Sequence, residues 1–164
     1  MRTANLLSNL YNNLSNTYLL MKRGNEAAKA LRTAFDIRME YVHLGLNESH
    51  DSLQQMMNLI NMLLLAKDVD NAKIVLEQYE SLVLKHLSDT SLDYGICKLS
   101  KGIIDMMEGT PESAEVNLLA AESIIGNAVG TDNDYMKTTY RYLNNLYARW
   151  KKPEKAIEYR DKFL

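Results

Sequence analysis

The chain has 164 residues, 46% of them apolar, with a formal charge of −2, seven glycines, two prolines and one cysteine. Such a length and apolar content suffice to bury a core, and so few Gly and Pro leave no room for a flexible linker or a low-complexity segment. The longest aliphatic run, Met62 to Ala66, is far short of the roughly 20 residues of a membrane span, the first residues lack the apolar core of a secretory signal, and no net basic stripe marks nucleic acid as a partner.

In chain order, apolar spacing predicts helices over about 3–22, 25–44, 49–66, 69–87, 91–108, 111–125, 133–150 and 153–163. Gly45 and Gly126 stand where the second and sixth should end, because glycine reaches the left-handed cap conformation without cost. Asp68 can cap the fourth helix, and Thr110-Pro111-Glu112 opens the sixth with a cap, a proline at the first helical position and an acid in the first turn. Cys97 lies in the fifth helix; a single cysteine forms no intrachain disulfide, reads as a small buried hydrophobe and fits a reducing, cytoplasmic setting. His43, His50 and His86 fall at helix ends without metal-ligand spacing. With no phosphate-binding glycine loop, nucleophile elbow or paired carboxylates either, no catalytic residue, metal or cofactor is expected, and the chain reads as a non-enzyme.

The helices repeat as pairs. A segment recurs around Ala27, Ala72, Ala114 and Ala156, at intervals of 45, 42 and 42 residues. Four residues on stand Leu31, Leu76, Leu118 and Arg160; seven on, Ala34, Tyr79, Ala121 and Phe163; nine before, Tyr18, Leu63, Asp105 and Tyr147; thirteen before, Leu14, Leu59, Lys101 and Leu143. These offsets lie near multiples of a helical turn, so each unit holds two helices joined just before its alanine. The four units, about 1–46, 47–88, 89–130 and 131–164, form one continuous array counted as a single domain.

At these residues the chain resembles the tetratricopeptide repeat family in its 42-residue form, the form of kinesin light chains. The matching positions are small residues at Ser15 and Gly102, aromatics at Tyr18 and Tyr147, the turn residue Gly109, the four alanines, Ala34 and Ala121. Ile60 and Asn144 depart from the small-residue position and Asp105 from the aromatic one. The last unit, from Asn145 to Ala156, is similar to a closing repeat, so Leu164 is expected near a natural C-terminus. The resemblance implies an all-α solenoid of eight helices coiled into a right-handed superhelix, with the first helix of each pair lining a concave groove. It implies an interaction module rather than a chemistry.

Residues 18, 15, 11 and 8 before each alanine are those the family turns towards the groove. In the first unit they are Asn9, Asn12, Asn16 and Leu19, with Asn13 beside them; in the second, Gln54, Met57, Asn61 and Leu64, with Asn58 beside them; in the fourth, Thr138, Arg141, Asn145 and Ala148. Asparagine is a mediocre helix former, so six of them in two helices call for a reason. A carboxamide both donates and accepts and can pair with the backbone of an extended peptide whatever its side chains; kinesin light chains are similar in this use of groove asparagines. The alternative is that these residues only solubilise the wall or bond between helices. In the third unit the stripe is Ile96, Leu99, Ile103 and Met106, with Met107 adjacent, while Lys98, Lys101 and Asp105 hold positions that normally pack on the second helix. Either the groove has an apolar pocket there, or that helix is rotated and its stripe is core. Leu99 and Ile103 changed to serine would discriminate, the exposed arrangement keeping its fold and losing a partner.

Arg141, Arg149 and Lys152 near Tyr142 and Trp150 form a basic-aromatic edge able to hold an acidic side chain or a terminal carboxylate, unless the aromatics are core and the cations merely solvated. The family's carboxylate clamp is disfavoured, since Asn12 and Leu99 stand where its lysines would be. Basic residues outnumber acidic ones six to three in 1–46 and eight to five in 131–164, and are outnumbered six to three in 47–88 and seven to two in 89–130; this pattern either steers a partner of opposite sign or only solvates outer faces. The expected function is binding of a protein or peptide segment in the groove. The rivals are a self-associating scaffold, dimeric through its ends or the third-unit stripe and favoured by the absence of a solvating helix after Leu164, and the sensor arm of a larger signalling or transcription regulator.

Overall fold

The computed structural model describes residues 2–43 and 50–163, which form eight α-helices and no strand. They are α1 (Arg2–Leu20), α2 (Gly24–His43), α3 (His50–Leu65), α4 (Val69–His86), α5 (Leu92–Glu108), α6 (Pro111–Val129), α7 (Asp134–Arg149) and α8 (Pro153–Asp161). Gly45, expected to end α2, lies outside the described residues.

One turn geometry builds all four helix pairs. Five residues before each anchor alanine the backbone is left-handed, at Lys22 (φ 58°), Lys67 (58°), Gly109 (78°) and Lys151 (56°). The following amide then reaches back to the carbonyl nine before the alanine: Arg23 to Tyr18 at 2.8 Å, Asp68 to Leu63 at 2.9 Å, Thr110 to Asp105 at 2.9 Å and Lys152 to Tyr147 at 2.9 Å. This six-residue closure satisfies carbonyls that a helix end leaves open. Each alanine then joins the next helix through a bond from its own amide, such as Ala114 to Thr110 at 3.0 Å. All four alanines are buried, at 2, 0, 0 and 8% exposure in chain order.

The helix starts follow local chemistry. Asp68 receives the Asn71 side-chain amide at 2.7 Å and its backbone N–H at 3.4 Å. Pro111 and Pro153 open α6 and α8, where their missing N–H costs nothing. Ser91 caps α5 through the Tyr94 amide (3.2 Å), and Asn133 caps α7 through that of Met136 (3.0 Å). Two expectations fail here. Thr110 does not cap α6; its hydroxyl donates backward to the Asp105 carbonyl at 3.1 Å. Gly126 does not end α6, which runs four residues further than its glycine suggested, to Gly130 at φ 79°. An interior glycine costs a helix only about 1 kcal/mol, and Asn127, Ala128 and Val129 carry it on.

The chain divides into two compact units, Met1–Val75 and Leu76–Leu164. In Met1–Val75, α1 is held to α2 by serine hydroxyls rather than by leucines: Ser8 donates to the Ala34 carbonyl (3.2 Å) and Ser15 to that of Ala27 (2.9 Å). Ala27, Leu31, Ala34 and Phe35 of α2 are buried, as are Leu53, Met56, Leu59, Ile60 and Leu63 of α3.

In Leu76–Leu164, α5 lies so close to α6 that a β-carbon on Gly95 would meet Ile125 Cγ1 at 2.6 Å, and one on Gly102 would meet Leu118 Cγ at 2.6 Å. The core joins Leu99, Leu118, Ala121, Ile125, Met136, Leu143 and Tyr147. Asn144 stands at the repeat position held by Ser15 and Gly102, and its side-chain amide donates to the Ala156 carbonyl at 2.7 Å. That is the bond Ser15 makes to Ala27, so a polar departure from the small-residue pattern still closes the pair. Asp105, at the aromatic position, accepts from Ser113 Oγ and Asn117 Nδ2, both at 2.8 Å, and thereby ties α5 to α6.

Candidate functional site

The first helices carry the expected groove residues, and their exposure divides them. In Met1–Val75, Asn13, Asn16, Gln54, Asn58 and Asn61 are exposed and Asn9 is half-buried. Gln54 Nε2 donates to Asn58 Oδ1 one turn on, at 3.3 Å. The side chains of Asn13, Asn16 and Asn61 have no hydrogen-bond partner among the described residues. Asn16 and Asn61 hold the same repeat position, eleven residues before Ala27 and Ala72, so one polar feature recurs in successive first helices.

Asn12 and Met57 correct the expectation, being only 8 and 7% exposed. Both lie fifteen residues before the anchor alanine. The position three residues further, Ser15 or Ile60, shares their helix face, and Ser15 with Ser8 binds α2 carbonyls. The fifteen-before position is therefore turned towards the partner helix. Asn12 Oδ1 is buried without a hydrogen-bond partner among the described residues.

The third unit settles its own alternative in favour of core. Ile96 and Leu99 are each 5% exposed, Leu99 belongs to the main core, and the half-buried Ile103 and Met106 pack against it. Leu99 holds the fifteen-before position of Asn12 and Met57 and is buried as they are, while Lys101 Nζ reaches Glu80 of α4 at 2.8 and 2.6 Å, with Lys98 3.9 Å from the same carboxylate, and Asp105 serves α6. The lysines at nominal packing positions are held by the Glu80 carboxylate and Asp105 by Ser113 and Asn117, and the apolar stripe faces inward. Ile96 and Leu99 are thereby withdrawn from an exposed stripe, whereas the adjacent Met107 is exposed. Cys97 is fully buried and burial pushes its thiol up to about 12, which leaves it an inert packing residue.

In the fourth unit Arg141 and Asn145 are exposed. The basic-aromatic edge is only partly assembled. Lys152 Nζ sits 3.3 Å over the Trp150 ring and 5.9 Å from that of Tyr147, whereas Arg141 stacks on Phe163 at 5.8 Å, two turns of α7 away from Arg149. Tyr147 is core and its hydroxyl donates to Glu115 at 2.7 Å; Tyr159 does the same to Glu122 at 2.8 Å. Burial, and then the facing carboxylate, raises both phenols above their ordinary range. A cleft of about 280 Å³ lies beside this edge, lined by Met106, Gly109, Thr110, Pro111, Leu146, Arg149 and Trp150. A spacing argument from the sequence could not find it, since it joins the α5–α6 turn to the end of α7.

Among the described residues no group of three or more His, Cys, Asp or Glu is placed to hold a metal ion, and no helix is long and apolar enough to cross a membrane. No family model and no curated protein matches the chain. Its fold is similar to that in the crystal structure of BtubC (BKLC) from P. vanneervenii, a kinesin light chain-like protein, with a TM-score of 0.71 and 19% identity. The likeness covers 98% of this chain and 63% of that one, so the chain spans under two thirds of the length of its neighbour. It shows the fold: an all-α, TPR-like helical repeat.

Proposed function

We propose that this is a non-catalytic protein-interaction module of the 42-residue, kinesin-light-chain-like type, whose first-helix carboxamides in Met1–Val75 take an extended peptide. The observation that carries the reading is the pair Asn16 and Asn61. They are exposed, lack hydrogen-bond partners among the described residues and recur at one repeat position on helices whose neighbouring residues are buried. A helix gains nothing from such residues, whereas a peptide backbone offers alternating donors and acceptors that a carboxamide matches in either sense.

Panning a random peptide library against the chain, with the Asn16→Ala/Asn61→Ala variant as counter-selection, tests this. Enriched peptides should bind the variant about tenfold more weakly or worse, the cost of peptide groups left unpaired, while its helix content holds or rises. Equal affinity for both proteins, or no enrichment, would refute the reading.

A second reading rests on α1. Its outward side exposes Leu6 at 60%, Leu10 at 62% and Leu20 at 87%, and Arg2 is the one charged residue of the helix. An apolar, nearly uncharged face suits self-association. A concentration-dependent mass abolished by Leu6→Glu/Leu10→Glu would favour it.

A further inference from the structure

We infer that the cleft between the α5–α6 turn and the end of α7 is a second docking site, for a partner segment that pairs an apolar side chain with a carboxylate. The site lies within Leu76–Leu164 and does not depend on the carboxamide reading.

Its walls are Met106, Pro111, Leu146 and Trp150, and at about 280 Å³ it is just below the ~300–1,000 Å³ of sites for whole small molecules. That size suits a side chain or two of a protein partner. Methionine and tryptophan adapt to varied apolar shapes and contribute strongly where interfaces are dry.

The charge balance selects the rest of the ligand. Several cations in this half of the chain are matched: Lys101 with Glu80, Lys137 with Asp132, Lys155 with Glu115, Arg160 with Asp161 and Lys162 with Glu122. Arg149 and Lys152 have no ion-pair partner among the described residues. Arg149 lines the cleft, and Lys152 is parked over the Trp150 ring that forms one wall. An arginine without an ion-pair partner on the wall of an apolar hollow, with a second cation over the Trp150 ring, suits an anion carried next to an apolar group. Arginine suits this because its planar fork meets a carboxylate with two parallel bonds. Glu108 and Glu112 flank the turn in sequence, so a ligand carboxylate is favoured towards α7 and the apolar side chain towards Met106.

Trp150 is the one tryptophan of the chain, which makes its fluorescence a reporter confined to the cleft. The probe is a capped peptide alternating Asp and Leu, titrated at low and high ionic strength; one control replaces Asp by Asn and another replaces Leu by Ser. The expected result is a saturable change in Trp150 emission with the first peptide, weakened about tenfold or more by Arg149→Gln, by either control and by salt. Arg149 is exposed, so the variant keeps its fold, as circular dichroism will verify, and the Asn16→Ala/Asn61→Ala variant should bind this probe unchanged. No saturable change, or a change indifferent to Arg149 and to the Asp-to-Asn control, overturns the inference.

Discussion

Gly102→Ala tests whether the close approach of α5 and α6 is a requirement of the fold or an accident of composition. On helix propensity alone alanine should stabilise by about 1 kcal/mol. Against that, the new methyl carbon would lie 2.6 Å from Leu118 Cγ and 2.7 Å from its Cδ2, with the Leu118 amide nitrogen at 3.3 Å. Leu118 is fully buried, so it has no free rotamer to retreat into, and the nearby backbone prevents relief by side-chain motion alone. Overpacking of this kind costs roughly 1–3 kcal/mol, often more than the propensity gain. The net expectation is a loss of about 1–2 kcal/mol, or a melting midpoint lower by roughly 2–8 °C for a chain of this size. Pairing the change with Leu118→Ala supplies the internal control. Leu118→Ala alone opens a cavity worth about 2–5 kcal/mol, and in the double variant the added methyl should lose its penalty, leaving a coupling of at least about 0.5 kcal/mol. A higher midpoint for Gly102→Ala, or simple additivity in the cycle, would refute the reasoning.

Lys67→Gly should raise stability by about 0.5–1 kcal/mol, because a side chain in the left-handed region costs roughly 1–2 kcal/mol, partly offset by the unfolded-chain entropy of glycine; chemical denaturation measures it, and a loss would contradict the turn geometry. Leu99→Ser should lower stability by several kcal/mol, since it opens a cavity in the main core and buries a hydroxyl; a midpoint within a degree or two of the parent would return that residue to the surface. The Glu115 carboxylate is held below its ordinary 4.5 chiefly by the Tyr147 hydroxyl and also by Lys155. A depressed carboxylate contributes stability above 4.5 and loses it as the pH falls through the folded value, so melting scans below about pH 4.5 should drop more steeply for the parent than for Glu115→Gln, and equal slopes would show that the pairing is not felt.

The repeat was legible because it records one backbone event, the tight junction of two helices, and that event accepts only a small residue where the backbones meet. Ala27, Ala72, Ala114 and Ala156 report it directly. Its other half was hidden. The residue five before each alanine is left-handed in every unit, yet only Gly109 announces this by type, while Lys22, Lys67 and Lys151 adopt a conformation their side chains disfavour because the surrounding closure fixes it. Asn144 and Asp105 looked like departures since a pattern of residue sizes cannot register a hydrogen bond to the Ala156 carbonyl or to Ser113. The groove assignment failed at Asn12, Met57 and Leu99 for one shared reason: a position three residues before the helix-contact site lies on the contact face, and a stripe transferred by resemblance did not resolve that angle.

The alternating charge of the chain acquires a meaning that counting could not provide. Two of the seven acids of 89–130 are answered by groups from 131–164: Glu115 takes the Tyr147 hydroxyl and Lys155, and Glu122 takes the Tyr159 hydroxyl and Lys162. Glu80 likewise takes Lys101 from the following helix. Exposed ion pairs alone are worth little, but a buried tyrosine hydroxyl without its acceptor carries a desolvation penalty of about 1–3 kcal/mol, so the carboxylates are needed where they stand. Opposite charge at Glu80, Glu115 and Glu122 therefore fastens one helix pair to the next. Long-range steering of a ligand falls to the charges outside this pairing, among them Arg149 on the wall of an apolar cleft.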